Sequence, residues 1–251
     1  MTAADLLDRN AAEDALELFP HSRITPMQAI QERHSVRSYT DEPLSADAID
    51  VLQQAIAIVN EAALLNIKLV LDEPRAFAGF KARLVNFTGV RNYLALIGPD
   101  CDELDEAVGY HGEKLVLLAQ ALGLNSCWVG GTYKVVNRAY NVDLGQKLAA
   151  VIALGYGTTQ GAPHTSKAPD KVCADYARMP AWFQRGVDAA LLAPTALNQQ
   201  KFSFALTGDA DGIARVRAST KRGAFTKMDL GIAQCHFEIG AGDAAFVWDE
   251  S

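Results

Sequence analysis

The stretch GYHGEKLVLLAQALGLNSCWVGG, Gly109 to Gly131, carries a helix, its stop and a strand in direct succession. From Asp102 onward Leu104, Ala107, His111, Leu115, Leu118 and Leu122 recur at helical spacing, and Gly123 stands in the C′ place that ends such a helix. Leu124 to Val129 then reads as a strand closing on Gly130-Gly131, where the missing side chains permit close backbone approach. A slide of 119 positions lays this stretch over DLGIAQCHFEIGAGDAAFVW, so that Gly112 meets Gly231 and Gly123 meets Gly242. Each pair heads or closes a helix before a strand, the pattern of an internal repeat. Two aligned glycines fit coincidence as well, and they gain weight only from the motifs around them.

Working outward, Thr25-Pro26 reads as N-cap and first turn of a short helix through Met27 and Ile30 that stops near Arg33. Ser45, followed by Asp47 and Asp50, opens a second helix that turns Ile49, Leu52, Ile56 and Val59 inward. Strands are expected at Ile67–Leu71, Tyr93–Ile97 and Ala149–Leu154, the last closing on GYG. The Gly-, Pro- and polar-rich stretch Thr158 to Lys171 marks an internal boundary. Beyond it Pro180–Ala193 and Asp229–Ile239 read as helices, and Phe202–Leu206 and Ala244–Trp248 as strands. Arg75 to Val90 and the region after Arg217 show no pattern. The expected division is an amphipathic extension over residues 1–23, a first half over 24–157, a linker over 158–179 and a shorter second half over 180–251.

Composition narrows the class. Of 251 residues 49% are apolar and 21% charged, which supports a sizeable core and excludes disorder for most of the chain. The formal charge of −7 and a pI near 5.2 oppose nucleic-acid binding. Cys101, Cys127, Cys173 and Cys235 have no CxxC spacing and read as reduced thiols. The acidic start lacks a secretion signal, and the longest apolar runs fall well short of the ~20 residues a spanning helix needs. A cytoplasmic protein without membrane spans is expected.

Two segments carry chemistry. RHSVRSY crowds Arg33, His34, Ser35 and Arg37 just past a short helix, and arginine forks match phosphate and carbonyl oxygens. The plainer alternative is a solvated helix end, and Lys167 and Lys171 are equally readable as surface charges. In APTALNQQ, Pro194 breaks a helix, and Thr195, Asn198 and Gln200 then offer small donors and acceptors beside a strand. Its plainer alternative is a helix-stop loop whose polar groups satisfy one another. GYGTTQ lacks the third glycine and following helix of a dinucleotide fingerprint. The histidines lie too far apart for a sequence-local metal site, His111 reads as a core residue and Cys127 as packing.

Together these segments resemble the FMN-dependent nitroreductase family. RHSVRSY is similar to its Arg-Arg/His-Ser-x-Arg loop, APTALNQQ to its Pro-Ser-x-x-Asn-x-Gln loop, and Gly112 to Gly131 to its central helix, strand and flavin-edge turn, in order between Ile24 and Trp248. Ordinary members carry all motifs once per chain and pair as homodimers. Here the first half has the arginine loop but AIVNEAALLN in place of the Pro-Ser loop, and the second half has that loop without arginines. The chain therefore resembles the single-chain, internally duplicated subgroup, a dimer fused into one polypeptide with one intact site; two-fold interfaces are self-complementary and easily fused.

The resemblance implies an α+β nitroreductase-like fold of two pseudo-two-fold related halves, with mixed or antiparallel sheets flanked by helices. It implies that Arg33, Ser35 and Arg37 hold FMN oxygens, with His34 acting through its backbone, and that Lys167 closes on the phosphate. Trp128, Val129, Gly130 and Gly131 would form the flavin edge, and Pro194, Thr195, Asn198 and Gln200 the loop from the second half. Lys201-Phe202 departs from the family's Pro-Trp there. The implied activity passes a hydride from NAD(P)H to flavin N5 and on to a small-molecule acceptor such as a nitroaromatic or quinone, in a monomer acting as a pseudo-dimer, with no side-chain acid or base and no metal. The alternative is a flavin-binding storage or sensor protein without turnover, suggested by the little chain left after Trp248 to build a lid.

Overall fold

The computed structural model describes residues 24–210 and 212–249, so the amphipathic extension over 1–23 lies outside the described residues. Helix α1 (Pro26–Glu32) starts as its sequence dictates: Thr25 accepts from the Gln28 amide, and Gln28 reaches back to the Thr25 amide in a capping box. Helix α2 (Ala46–Ala63) is capped by Ser45 and buries Leu52, Ile56 and Val59 as its periodicity requires. Strands β1 (Lys68–Val70) and β2 (Asn92–Pro99) flank the patternless stretch, which folds into a 3-10 turn (Pro74–Phe77) and the single-turn helix α3 (Phe80–Leu84). Helix α4 (Leu104–Ala121) ends at Gly123, whose φ of 79° is the left-handed turn glycine supplies. Strand β3 (Asn125–Val129) follows at once, then β4 (Gln146–Gly155).

These four strands form an antiparallel sheet in the order β1-β2-β4-β3. Alternation along β2 sends Leu94 and Leu96 to the face covered by α2 and α4, and Tyr93, Ala95 and Ile97 to the other. On that second face lie Phe77 and Phe87 from the stretch without pattern, together with Val36, Cys127 and Val129.

The C-terminal part adds helix α5 (Ala181–Ala190), strands β5 (Phe202–Ala210) and β6 (Ile213–Thr220), helix α6 (Thr226–Ala241) and strand β7 (Phe246–Trp248). Its sheet is mixed, with β5 antiparallel and β7 parallel to β6. Helix α4 packs on α6, and both are buried along almost their whole length. Their backbones meet at glycines: a Cβ on Gly109 would stand 2.2 Å from the Met228 carbonyl oxygen, and one on Gly231 2.0 Å from that of Glu106. The architecture is α+β, with antiparallel and mixed sheets flanked by helices.

Candidate functional site

Helix α1 ends at Arg33, and the chain that follows has no helical partners for its backbone. It is stitched into the sheet edge instead: Val36 N donates to the Ser126 carbonyl at 3.0 Å, Thr88 N to that of Arg37 at 2.9 Å and Thr158 N to that of Ser38 at 2.9 Å. In this extended segment Val36 is buried and Arg37 exposed. Ser35 lies beside Ser126 and hydrogen-bonds the Cys127 side chain, whose thiol is pushed up by burial. His34 is held below the usual histidine range, first by burial and then by its neighbours Arg33 and His164.

Arg33 turns inward. It is 3% exposed, its Nε lies 3.9 Å from Glu113 Oε1, and neither Nε nor Nη1 has a hydrogen-bond partner. Burial draws the guanidinium down from its ordinary value while the Glu113 charge opposes the drop. Glu113, fully buried on α4, accepts the Trp128 indole N–H on Oε2 at 2.7 Å and meets His236 Nε2 with Oε1 at 2.9 Å. Trp128 thus faces the helices, and Gly130, past Val129, sits against the Phe225 ring. Gly131 is exposed.

The Pro194 loop is knitted to its surroundings. Thr195 Oγ1 accepts from the Gln200 amide at 3.1 Å, Asn198 Nδ2 donates to the Thr165 carbonyl at 2.9 Å, and Gln200 Nε2 donates to Asn198 Oδ1 at 2.6 Å. Asn198 and Gln200 therefore satisfy one another, as the plainer sequence alternative allows. Lys167 does not stand free either: its amide donates to Gln200 Oε1, and its ammonium to the Gln199 and Gln200 carbonyls at 2.8 and 2.7 Å. Leu197, Asn198 and Gln200 hold φ values of 53°, 53° and 43°, a left-handed backbone that side chains other than Asn resist. Below the loop Asp229 accepts from the Ala196 amide at 2.8 Å and from Gln199 Nε2 at 2.7 Å. Burial raises its carboxyl to about 6 against these donors and Lys201.

The motif segments, far apart in sequence, close into a ring of contacts. A Cβ on Gly161 would stand 2.8 Å from His34 Cβ, so the stretch running on to Lys167 starts against the arginine loop and ends on the Pro194 loop. From there Gln199 Nε2 donates to the Ala224 carbonyl, next to Phe225, whose ring touches Gly130 at the end of β3, and β3 returns to the arginine loop at Ser126. GYGTTQ leads from β4 into the extended run beside Tyr39, not into a helix. Among the described residues no three His, Cys, Asp or Glu side chains gather as a metal site.

Sequence reasoning missed Glu113 and Asp229, and weighed His236 only as a metal ligand. Glu113 carried little signal, a carboxylate beside Lys114 on a helix that also holds Asp105 and Glu106, and its partner His236 lies on α6, so only packing brings the two together.

Residues 25–241 match the family model described as "Putative TM nitroreductase". The chain belongs to this nitroreductase family. Membership makes it an oxidoreductase by class, and a solved relative shares its fold. A "putative nitroreductase" of Thermotoga maritima is 22% identical with a TM-score of 0.60, over 86% of this chain and 83% of that one. A "putative NADH dehydrogenase/NAD(P)H nitroreductase" of Bacteroides thetaiotaomicron is 20% identical with a TM-score of 0.49, over 59% of this chain and 95% of that one. A "putative nitroreductase in complex with FMN" of Desulfovibrio desulfuricans is 21% identical with a TM-score of 0.45, over 60% and 96%. Among curated proteins no sequence match is found. In this family member no helix among the described residues is long and apolar enough to cross a membrane.

Proposed function

We propose that this family member is an FMN-dependent NAD(P)H oxidoreductase with one flavin site per chain. The observation that carries the reading is the closed ring joining the arginine loop, Gly130, Phe225, the Pro194 loop and Lys167. A flavin mononucleotide demands cationic donors for its phosphate and neutral donors around its ring oxygens. The residues fit that demand: Arg33 has two buried guanidinium nitrogens without a hydrogen-bond partner, Arg37 is exposed, and Lys167 already points its ammonium at the Pro194 loop. Ser35, Arg37 and Lys167 would hold the phosphate and ribityl oxygens from the accessible side, with His34 contributing its backbone and Arg33 completing the positive field from beneath. Thr195, whose hydroxyl proton is not used in accepting from Gln200, is the donor the Pro194 loop retains.

When bound, FMN would supply N5 as the atom that takes hydride from NAD(P)H and delivers it to a nitroaromatic, quinone or similar acceptor. The chain supplies binding, orientation and charge, and no side-chain acid or base is assigned. A pseudo-dimeric monomer is supported by the α4–α6 contact: Gly109 meets Met228, the residue the 119-position repeat aligns with it, as at a two-fold axis. The cytoplasmic location is supported by the four free thiols.

Reconstitution followed by anaerobic NADPH addition tests the reading. The expected result is a yellow protein that bleaches and recovers its colour when a quinone or nitroaromatic is added. A protein that stays colourless with FMN overturns it, and a yellow protein that does not bleach makes the chain a flavin binder without turnover.

A further inference from the structure

The buried Glu113 carboxylate gathers three elements of the site. From the arginine loop comes Arg33, 3.9 Å away; from β3, which runs to Gly130, comes the Trp128 indole at 2.7 Å; from α6, whose first turn anchors the Pro194 loop through Asp229, comes His236 at 2.9 Å. His236 is itself fixed, because its Nδ1 lies 3.1 Å from the Ala189 carbonyl. A carbonyl only accepts, so Nδ1 carries a proton, and the short Nε2–Oε1 contact needs a second proton shared between His236 and Glu113. The imidazole is thereby clamped between α5 and α4, and it clamps Glu113 in turn.

Arg33 has no such clamp of its own. Two of its guanidinium nitrogens make no hydrogen bond, and Nε lies in an ion pair with Glu113. We propose that Glu113, held by His236 and Trp128, is the positioning residue that fixes and balances the Arg33 guanidinium, so that the C-terminal helix completes the anion-binding arginine loop from behind. The inference rests on the flavin-binding reading above and deepens it: the ligand is the FMN phosphate and its neighbouring oxygens, and the C-terminal part reaches them through one carboxylate.

The test is a double-mutant cycle read in FMN affinity by fluorescence quenching, with far-UV circular dichroism and thermal melts on each variant. Glu113→Gln keeps shape and an acceptor for Trp128 while removing the charge. It should weaken FMN binding by ~5–150-fold, the usual range for coupled sites. In an Arg33→Met background the same change should alter affinity by less than about twofold, because the group it acts on is gone. Additive losses in the cycle, or unchanged affinity in Glu113→Gln, overturn the positioning role while leaving the flavin reading in place. If Glu113→Gln does not fold, His236→Gln in the same cycle decides, with the same expected and overturning outcomes. An unaltered protein that binds no FMN overturns the flavin reading and removes the site Glu113 would serve.

Discussion

Gly231 of α6 lies directly on the backbone of Glu106 in α4, close enough that a Cβ would stand 2.0 Å from the Glu106 carbonyl oxygen. The obstacle is backbone inside a helix, which cannot rotate away as a side chain would. Gly231→Ala should therefore spread the two helices and destabilise the fold by about 1–3 kcal/mol or more. Urea unfolding should show a lower midpoint with an unchanged slope. An unshifted midpoint would mean that the helices have room to separate.

Asp229 links stability to pH. Burial lifts its carboxyl from 3.8 to about 6, so between these values the folded chain keeps a proton that the unfolded chain has released. Its contribution to stability is therefore largest below about pH 4, falls as the pH rises to about 6, and is level beyond. Asp229→Asn should lack this slope while keeping an acceptor for the Ala196 amide. The stability difference between the unaltered protein and the variant, measured in urea, should shrink or change sign between about pH 4 and about pH 7. A constant difference over that window would count against the assignment.

Arg37 separates ligand binding from stability. It is exposed, whereas Arg33 is buried beside Glu113. Arg37→Ala should leave the melting temperature within the range of ordinary surface changes, about ±0.5 kcal/mol. It should weaken FMN binding by roughly 10–150-fold, the loss of one charge-assisted hydrogen bond. Retention of full affinity would remove Arg37 from the site.

The proposed pseudo-dimer makes a claim about mass. Helices α4 and α6 are already buried on one another inside one chain, so neither is left to pair with a second copy. Light scattering should give 27.0 kDa at micromolar concentration. A value twice that would reject the fused-dimer description.

Local rules accounted for much of the fold. Thr25-Pro26, Ser45 and Gly123 placed helix ends correctly because capping is settled within a few residues. Strand β2 and the second half of β4 were legible because both faces of the sheet are covered there, which makes those stretches almost continuously apolar. Strand β6 was not: Val216 is its fully buried side chain, so little hydrophobic alternation marks it. The turns between Pro74 and Leu84 are too short for any period to emerge.

The sequence by itself carried the segments RHSVRSY and APTALNQQ, their order along the chain and, through them, the resemblance to the family. It determined nothing about their partners, because hydrogen bonds between distant residues have no sequence period. Tertiary structure alone decided that Arg33 faces inward to Glu113, that Asn198 and Gln200 are spent on each other, and that Lys167 joins the Pro194 loop. It also decided that His236, 123 positions away, meets Glu113 at all. The physical reason is burial: once α4 and α6 pack through their glycines, the few charged groups carried inside must find one another, and the partners available are set by which helix faces meet.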